Sequence, residues 1–237
     1  MEQKTNSNPL VEALFKAGAH FAYGKTRRHP SVSPFIFGAK NRVEIFDLEA
    51  TSTAFAVAAD VVRTLGKEGK MILFVGGKSE ARETVASEAG KASQPYVAGR
   101  FIGGTLTNFP QIRKRIEKLE QLLAEKEGGE LNRYTKKERL LIDRDIARLT
   151  KDFGGIVSMK HLPAAVVVVD PKREYNVVRE ATQLKIPVIA LLNSDCNLKE
   201  VTYPVPGNDS LKSSIAFFLK EMAEAYLEGK KAGTAAL

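Results

Sequence analysis

Apolar positions follow two different patterns along this chain. Continuous apolar runs, typical of strands buried on both faces, lie at 71–75, 164–169 and 187–192. Helical patterns lie at 51–65, 79–89, 175–184 and 210–227, and a further strand is predicted at 43–47. Strands that alternate with helices predict a mostly parallel sheet with helices on both faces. We therefore expect a three-layer α/β domain.

A different pattern occupies residues 111–152, where about half of the residues are charged. The apolar residues fall on two helical stripes with steps of three and four: Ile112, Ile116, Leu119 and Leu123, then Ile142, Ile146, Leu149 and Phe153. The segment between the stripes, 127–132, is rich in helix breakers. This pattern predicts an antiparallel two-helix coiled-coil hairpin. A solvated helical pair with no special role is the alternative.

Because the strand–helix pattern resumes after these helices, we interpret them as an insertion in one domain. The predicted body is discontinuous, with residues 1–107 and 154–237, and the inserted hairpin spans 108–153. The N-terminal helix and a basic loop occupy 8–34. The tail after about residue 228 contains two glycines and is predicted to be frayed.

The basic loop at 24–34 contains three cations, Lys25, Arg27 and Arg28. Two prolines and a glycine predict irregular backbone here. Such a loop can direct ammonium and guanidinium groups toward phosphates. A solvated loop without a ligand is the alternative.

Composition is that of an ordinary soluble globular protein, with 43% hydrophobic and 27% charged residues. The net charge of +8 favours a polyanion as partner. No apolar run approaches the roughly 20 residues that span a bilayer. The first residues are polar and lack the apolar segment of a secretion signal, and the single cysteine is typical of a reducing compartment.

The loop after the strand at 71–75 ends in Gly-Lys-Ser, as a P-loop does, but Ile72 stands where a P-loop has its first glycine. A nucleotide-binding enzyme is therefore disfavoured. A smaller role is open, in which the Gly77 N–H and Lys78 hold one backbone phosphate of a polymer. Ser79 is predicted to cap the following helix.

Other candidate chemistry is weak. Cys196 follows a strand but has no identifiable base partner, so a small buried thiol is favoured over a nucleophile. His161 is interpreted as a local hydrogen-bonding residue. Three aspartates at strand ends, Asp47, Asp170 and Asp195, are only a weak hint of Mg²⁺ binding. We predict no enzyme activity, no metal and no cofactor.

A glycine-rich segment at 99–110 leads into the hairpin. The pair Gly103 and Gly104 allows positive φ or close approach of backbone. Arg100 and Asn108 flank the pair and can contact a sugar-phosphate chain. The alternative is an irregular hinge, and periodicity does not separate the two.

Several strings together resemble the bacterial small-subunit ribosomal protein S2 family over essentially the whole chain. They include Gly18-Ala19-His20-Phe21, Thr26-Arg27-Arg28, Phe35-Ile36-Phe37-Gly38, Gly103-Gly104-Thr105-Leu106-Thr107-Asn108-Phe109, Asp170-Pro171-Lys172 and Pro206-Gly207-Asn208-Asp209. The resemblance implies a Rossmann-like or flavodoxin-like body with an inserted helical hairpin.

The resemblance also implies a non-catalytic component of the cytoplasmic small ribosomal subunit. It implies contact with 16S ribosomal RNA and help in recruiting the large mRNA-binding ribosomal protein where head meets body. No membrane and no small-molecule substrate are expected. A purely protein-docking scaffold is the remaining alternative. The RNA-binding residues we predict are Lys25, Arg27, Arg28, Lys78, Arg100, Gly103, Gly104 and Asn108.

Overall fold

The computed structural model describes residues 8–234, apart from the Asn132 side chain. Seven helices are found there: α1 Pro9–Lys16, α2 Leu48–Lys67, α3 Ser79–Lys91, α4 Phe109–Glu127, α5 Lys136–Phe153, α6 Tyr175–Gln183 and α7 Lys212–Thr234. Its strands are β1 Ile36–Lys40, β2 Val43–Phe46, β3 Ile72–Val75, β4 Tyr96–Val97, β5 Ala165–Val169, β6 Val188–Leu192 and β7 Tyr203–Pro206. No helix in this part of the chain is long and apolar enough to cross a membrane.

Five strands form one parallel sheet in the order β4-β3-β5-β6-β7. Alternate residues of each strand enter two separate cores. Phe74 and Val167 are paired in register and pack with α1, α2, α3 and α7, whereas Val75 and Val168 pack with α4, α5 and α6. The predicted three-layer α/β architecture is therefore confirmed.

The predicted strand at 43–47 exists as β2, but its place in the parallel sheet is wrong. It pairs antiparallel with β1 in a separate two-stranded sheet, with Lys40 opposite Val43. Asn41 and Arg42 both have positive φ, at 52° and 65°. A two-residue turn of this kind matches the twist of a hairpin, so the local pairing prevails.

Two further strands carry no strong sequence signal. β4 has two residues, and β7 contains Pro204 and Pro206. Both lie at the edges of the parallel sheet. Proline is tolerated at an edge because one side of the strand needs no donors.

Helices α4 and α5 lie on one side of the sheet. Most of the predicted stripe residues are buried in the core there: Ile112, Ile116, Leu119, Ile146, Leu149 and Phe153. Leu123 is 38% exposed, and its neighbour Leu122 packs against the core instead. Two ion pairs join the helices, Lys126–Asp143 at 2.8 Å and Lys118–Asp145 at 3.9 Å. Coiled-coil geometry for the pair stays a prediction.

The tail predicted to fray after residue 228 is helical through Thr234, so the prediction is wrong for the described residues, and residues 235–237 lie outside them. Gly229 and Gly233 belong to α7 and lie directly against the backbone of α2. The missing side chains allow the two helices to approach closely, and the packing outweighs the low helix propensity of glycine.

Two local predictions are also corrected. Ser79 is the first residue of α3 rather than its cap, and its hydroxyl donates to the Glu80 carboxylate. The basic loop is not irregular, since Lys25–Arg27 and Pro30–Phe35 form short 3-10 helices. Proline fits the first position of such a turn because that position needs no backbone donor.

Candidate nucleic-acid interface

The basic loop is tied to the end of the parallel sheet. The Tyr23 N–H donates to Asn193 Oδ1 at 3.2 Å and to Ser194 Oγ at 3.1 Å. The His29 N–H donates to the Ser194 carbonyl at 2.7 Å. These bonds fix both ends of the short segment that carries the cations.

Two of the three loop cations are exposed to solvent. Lys25 and Arg27 lie on one 3-10 turn, and the Arg27 guanidinium stands 4.7 Å from the centre of the Tyr23 ring. Within residues 8–234 neither forms an ion pair. Their charge is therefore available to a ligand.

The third cation of the loop, Arg28, is paired with an acid of the protein itself. Its Nη1 donates to Glu44 Oε1 at 2.9 Å, and the Glu44 side chain is only 3% exposed. The other carboxylate oxygen of Glu44 is buried and has no hydrogen-bond partner. Arg28 consequently neutralises a buried acid and fixes β2 to the loop, which leaves less of its charge for a phosphate.

Lys78 lies inside the protein instead of on the surface. Its ammonium contacts Asp170 Oδ2 at 2.7 Å and Asp209 Oδ2 at 2.8 Å, and it donates to the Asp209 carbonyl at 3.2 Å. Burial opposes the charged form, but the Asp209 and Asp170 carboxylates outweigh it and raise the pKa of Lys78 above its ordinary value. The expected phosphate contact does not fit this geometry.

The backbone amide next to Lys78 is also occupied. The Gly77 N–H donates to Glu174 Oε1 at 3.0 Å. A side chain at Gly77 would come within 2.7 Å of the Gly99 carbonyl, which explains the glycine. Since the amide and the lysine are both used internally, this loop cannot cradle a nucleotide phosphate as a P-loop does.

A carboxylate organises the loop that contains the glycine pair. Glu180, from α6, accepts the N–H groups of Gly104, Leu106 and Thr107 at 2.6, 3.0 and 3.0 Å. Gly104 has φ +86°, which directs its N–H toward the acid. The amide of Gly104, one of the predicted RNA-binding residues, thus binds an internal carboxylate. No local pattern indicates this role for Glu180.

The remaining predicted residues lie at the surface. Gly103 and the side chains of Arg100 and Asn108 are exposed, and Asn108 immediately precedes α4. Two further arginines that sequence reasoning missed, Arg82 and Arg173, line one cavity with Arg100. The local sequence around an exposed arginine on a helix or a turn does not show whether the side chain binds a ligand or is only solvated.

The residues considered for catalysis or metal binding have structural roles instead. Cys196 is buried, as predicted, and burial raises the pKa of its thiol to about 12. His161 bonds locally to the Leu162 carbonyl at 3.1 Å, also as predicted. Asp47 caps α2, and Asp195 pairs with Lys172 at 2.8 Å. In the part of the chain that the structure describes, no three acidic, histidine or cysteine residues are grouped as metal ligands.

The sequence is similar to proteins of one known family. A sequence model of the family described as ribosomal protein S2 matches residues 14–229. The chain is 40% identical to small ribosomal subunit protein uS2 of Desulfovibrio desulfuricans, over 94% of this chain and 86% of that protein. It is 42% identical to the uS2 protein of a Nitratiruptor species, over 93% and 83%. It is 39% identical to uS2c of Cyanophora paradoxa, over 94% and 96%. The chain therefore belongs to the ribosomal protein S2 family, whose members are structural proteins of the ribosome and not enzymes.

Proposed function

We propose that this chain is a structural component of the small ribosomal subunit in the cytoplasm and binds 16S ribosomal RNA. The observation that carries the RNA contact is the anchored loop that presents Lys25 and Arg27. Both cations are exposed, and the hydrogen bonds at Tyr23 and His29 hold the loop in place before RNA arrives. Preorganised cations lose little conformational freedom on binding phosphate.

The same proposal assigns supporting roles to the rest of the chain. The discontinuous body, 1–107 and 154–237, holds the loop, and the hairpin, 108–153, acts as a strut. Arg100 and Asn108 extend the RNA surface at the entry to the hairpin. Arg28, Gly103 and Gly104 shape this surface more than they contact phosphate, and Lys78 stabilises the body. Family membership supports the subunit, and the net charge of +8 supports a polyanionic partner.

Replacing Lys25 and Arg27 with alanine tests the RNA contact. Each phosphate contact adds about 0.7–0.9 to the slope of log affinity against log salt concentration, because bound cations displace counterions. We expect the double variant to lose about 1.4–1.8 of this slope with small-subunit RNA. Arg28 is left intact because its loss would leave the Glu44 carboxylate buried and unpaired, which costs roughly 1–3 kcal/mol.

Lys67→Ala/Lys220→Ala is the matched control, since it removes the same charge from exposed positions on α2 and α7. The control should retain the wild-type slope. Equal losses in both variants would show that only total charge matters and would remove the loop from the RNA interface.

We also propose that the chain helps recruit the large mRNA-binding ribosomal protein where head meets body. A cluster of aromatic side chains near the N-terminus supports a protein contact. Phe15 and Phe21 are 61% and 48% exposed, and their ring centres lie 4.5 and 4.1 Å from that of His20. Exposed aromatic groups of this kind are enriched at protein interfaces.

Small subunits reconstituted with the Phe15→Ser/Phe21→Ser variant should retain less of the large mRNA-binding protein than subunits that contain the wild-type chain. Phe37→Ser is the control because Phe37 is 80% exposed and forms no ring contact among the described residues. The measurement is the amount of that protein that sediments with the subunit. Retention equal to the wild type would contradict a role for this aromatic cluster.

A further inference from the structure

Two concavities meet at the edge of the parallel sheet where β3 and β4 end. The first, of about 340 Å³, is lined by Gly77, Arg82, Gly99, Arg100, Phe101, Arg173, Glu174 and Asn176. The second, of about 430 Å³, extends to the end of α5 and includes Lys151, Gly154 and Gly155. Arg82, Gly99 and Arg100 line both. The two concavities are therefore adjacent, and together we call them the arginine groove.

The rim of this groove carries an excess of free positive charge. Arg82, Arg100, Arg173 and Lys151 are all exposed. Within residues 8–234, none of these four side chains forms an ion pair. Unpaired cations that converge on a concave surface attract anions more strongly than scattered cations do.

The acids in the groove do not cancel this charge. Glu174 is 7% exposed, and its carboxyl accepts the Gly77 N–H. Burial raises the pKa of Glu174. Asp152 is the other acid of the lining and is half-buried at the second concavity. Four cations thus face two acids, one of them buried and hydrogen-bonded.

The central arginine is held in a defined direction. Arg82 Nε donates to the Gly77 carbonyl at 3.2 Å, and this bond leaves the terminal nitrogens of the guanidinium free. Free terminal nitrogens in a fork match the two oxygens of a phosphodiester. No side chain narrows the groove at Gly99, where a Cβ would have no neighbour within 4 Å.

We propose that this arginine groove holds consecutive phosphates of one RNA strand, with one phosphate in each concavity. The proposal rests on the proposed function and deepens it, since it names a second RNA contact separate from the loop of Lys25 and Arg27. The linings of both concavities include the exposed side chains of Arg82 and Arg100, which suits a negatively charged polymer backbone. Phe101 is 4% exposed and offers no face on which a base can stack.

The variant Arg82→Gln/Arg100→Gln/Arg173→Gln tests the groove. Two lost phosphate contacts should lower the slope of log affinity against log salt by about 1.4–1.8 with small-subunit RNA. Lys67→Gln/Lys220→Gln/Lys231→Gln removes the same charge from the α2 and α7 layer and should leave the slope nearly unchanged. A triple variant that keeps the wild-type slope overturns the groove and the place of Arg100 on the RNA surface, and it leaves the RNA contact of Lys25 and Arg27 standing. A wild-type chain whose RNA affinity is independent of salt overturns the proposed function itself.

The single variant Arg100→Gln tests the groove even if the triple variant has a folding defect. Arg100 is exposed and makes no hydrogen bond or ion pair among the described residues, so this variant should unfold at the wild-type temperature. We expect it to lose about 0.7–0.9 of the slope, as one phosphate contact requires. An unchanged slope contradicts the proposal.

Titrations with inorganic phosphate and with ADP distinguish a groove that binds an RNA strand from one that binds a small free anion. A groove built for an RNA backbone should bind both weakly, and small-subunit RNA should displace them. Micromolar binding of ADP that RNA does not displace would overturn the RNA assignment in favour of a small-molecule site.

Discussion

Gly229→Ala should destabilise the protein by about 3 kcal/mol, at the upper end of the cost of overpacking. A Cβ at this position of α7 would overlap the Arg63 carbonyl oxygen of α2. Gly66 faces the Tyr226 carbonyl in the same way, so the two helices meet backbone to backbone. Neither backbone can rotate away as a flexible side chain would. The helices must separate, and the contacts along their whole length weaken.

Gly90→Ala is the matched control, because Gly90 lies in α3 and a Cβ there would have no neighbour within 4 Å. Alanine is the better helix former, so this variant should gain up to about 0.5–1 kcal/mol. Thermal unfolding followed by circular dichroism measures both, since the chain has no tryptophan to report by fluorescence. For a chain of this size, Gly229→Ala should lower Tm by about 6–12 °C. A decrease below about 1 °C would show that the helices adjust freely.

The glycines of α7 show why some elements escape prediction from sequence. The runs at β3, β5 and β6 are apolar at every position and are predictable, because short runs of this kind are typical of strands buried on both faces. Glycine at the end of a helix normally signals fraying, and its use for close packing depends on α2, which is distant in sequence. The hairpin of β1 and β2 is the opposite case, since a local turn at Asn41 and Arg42 decides its pairing.

The candidate interface also has features that the sequence predicts and features that depend on the fold. Sequence composition indicates a basic protein, and the cluster of Lys25 and Arg27 is visible directly. Which cations remain free depends on partners far away in the chain. Lys78 meets Asp209, 131 residues later, whereas Arg173 meets no acid within ion-pair distance in the described part of the chain. The pairing of charges in the folded chain therefore decides which cations can bind RNA and which stabilise the fold. This pairing depends on the fold and is not visible in the local sequence.

Lys78→Met should cost about 3–5 kcal/mol, the range found when one partner of a buried ion pair is removed. The side chains of Lys78 and Asp209 are 11% and 1% exposed, and Asp170 shares the same ammonium. Without the lysine, two buried carboxylates lose their counterion. Lys212→Met is the control, since Lys212 pairs with Glu83 at 2.7 Å and both side chains are exposed, 63% and 80%. An exposed pair contributes at most about 1 kcal/mol.

The pH dependence of this difference tests whether it comes from the buried carboxylates that the Lys78 ammonium neutralises. The pKa of Lys78 is raised in the folded state, so its contribution is fully present below the unfolded value of 10.5 and is lost as pH rises through the folded value. Urea unfolding should give the same difference between wild type and Lys78→Met at pH 7 and pH 9. Toward pH 4 the difference should shrink, because the unpaired carboxylates of the variant can take up protons. A fully stable Lys78→Met variant that binds RNA with a smaller salt slope would instead return Lys78 to the phosphate role.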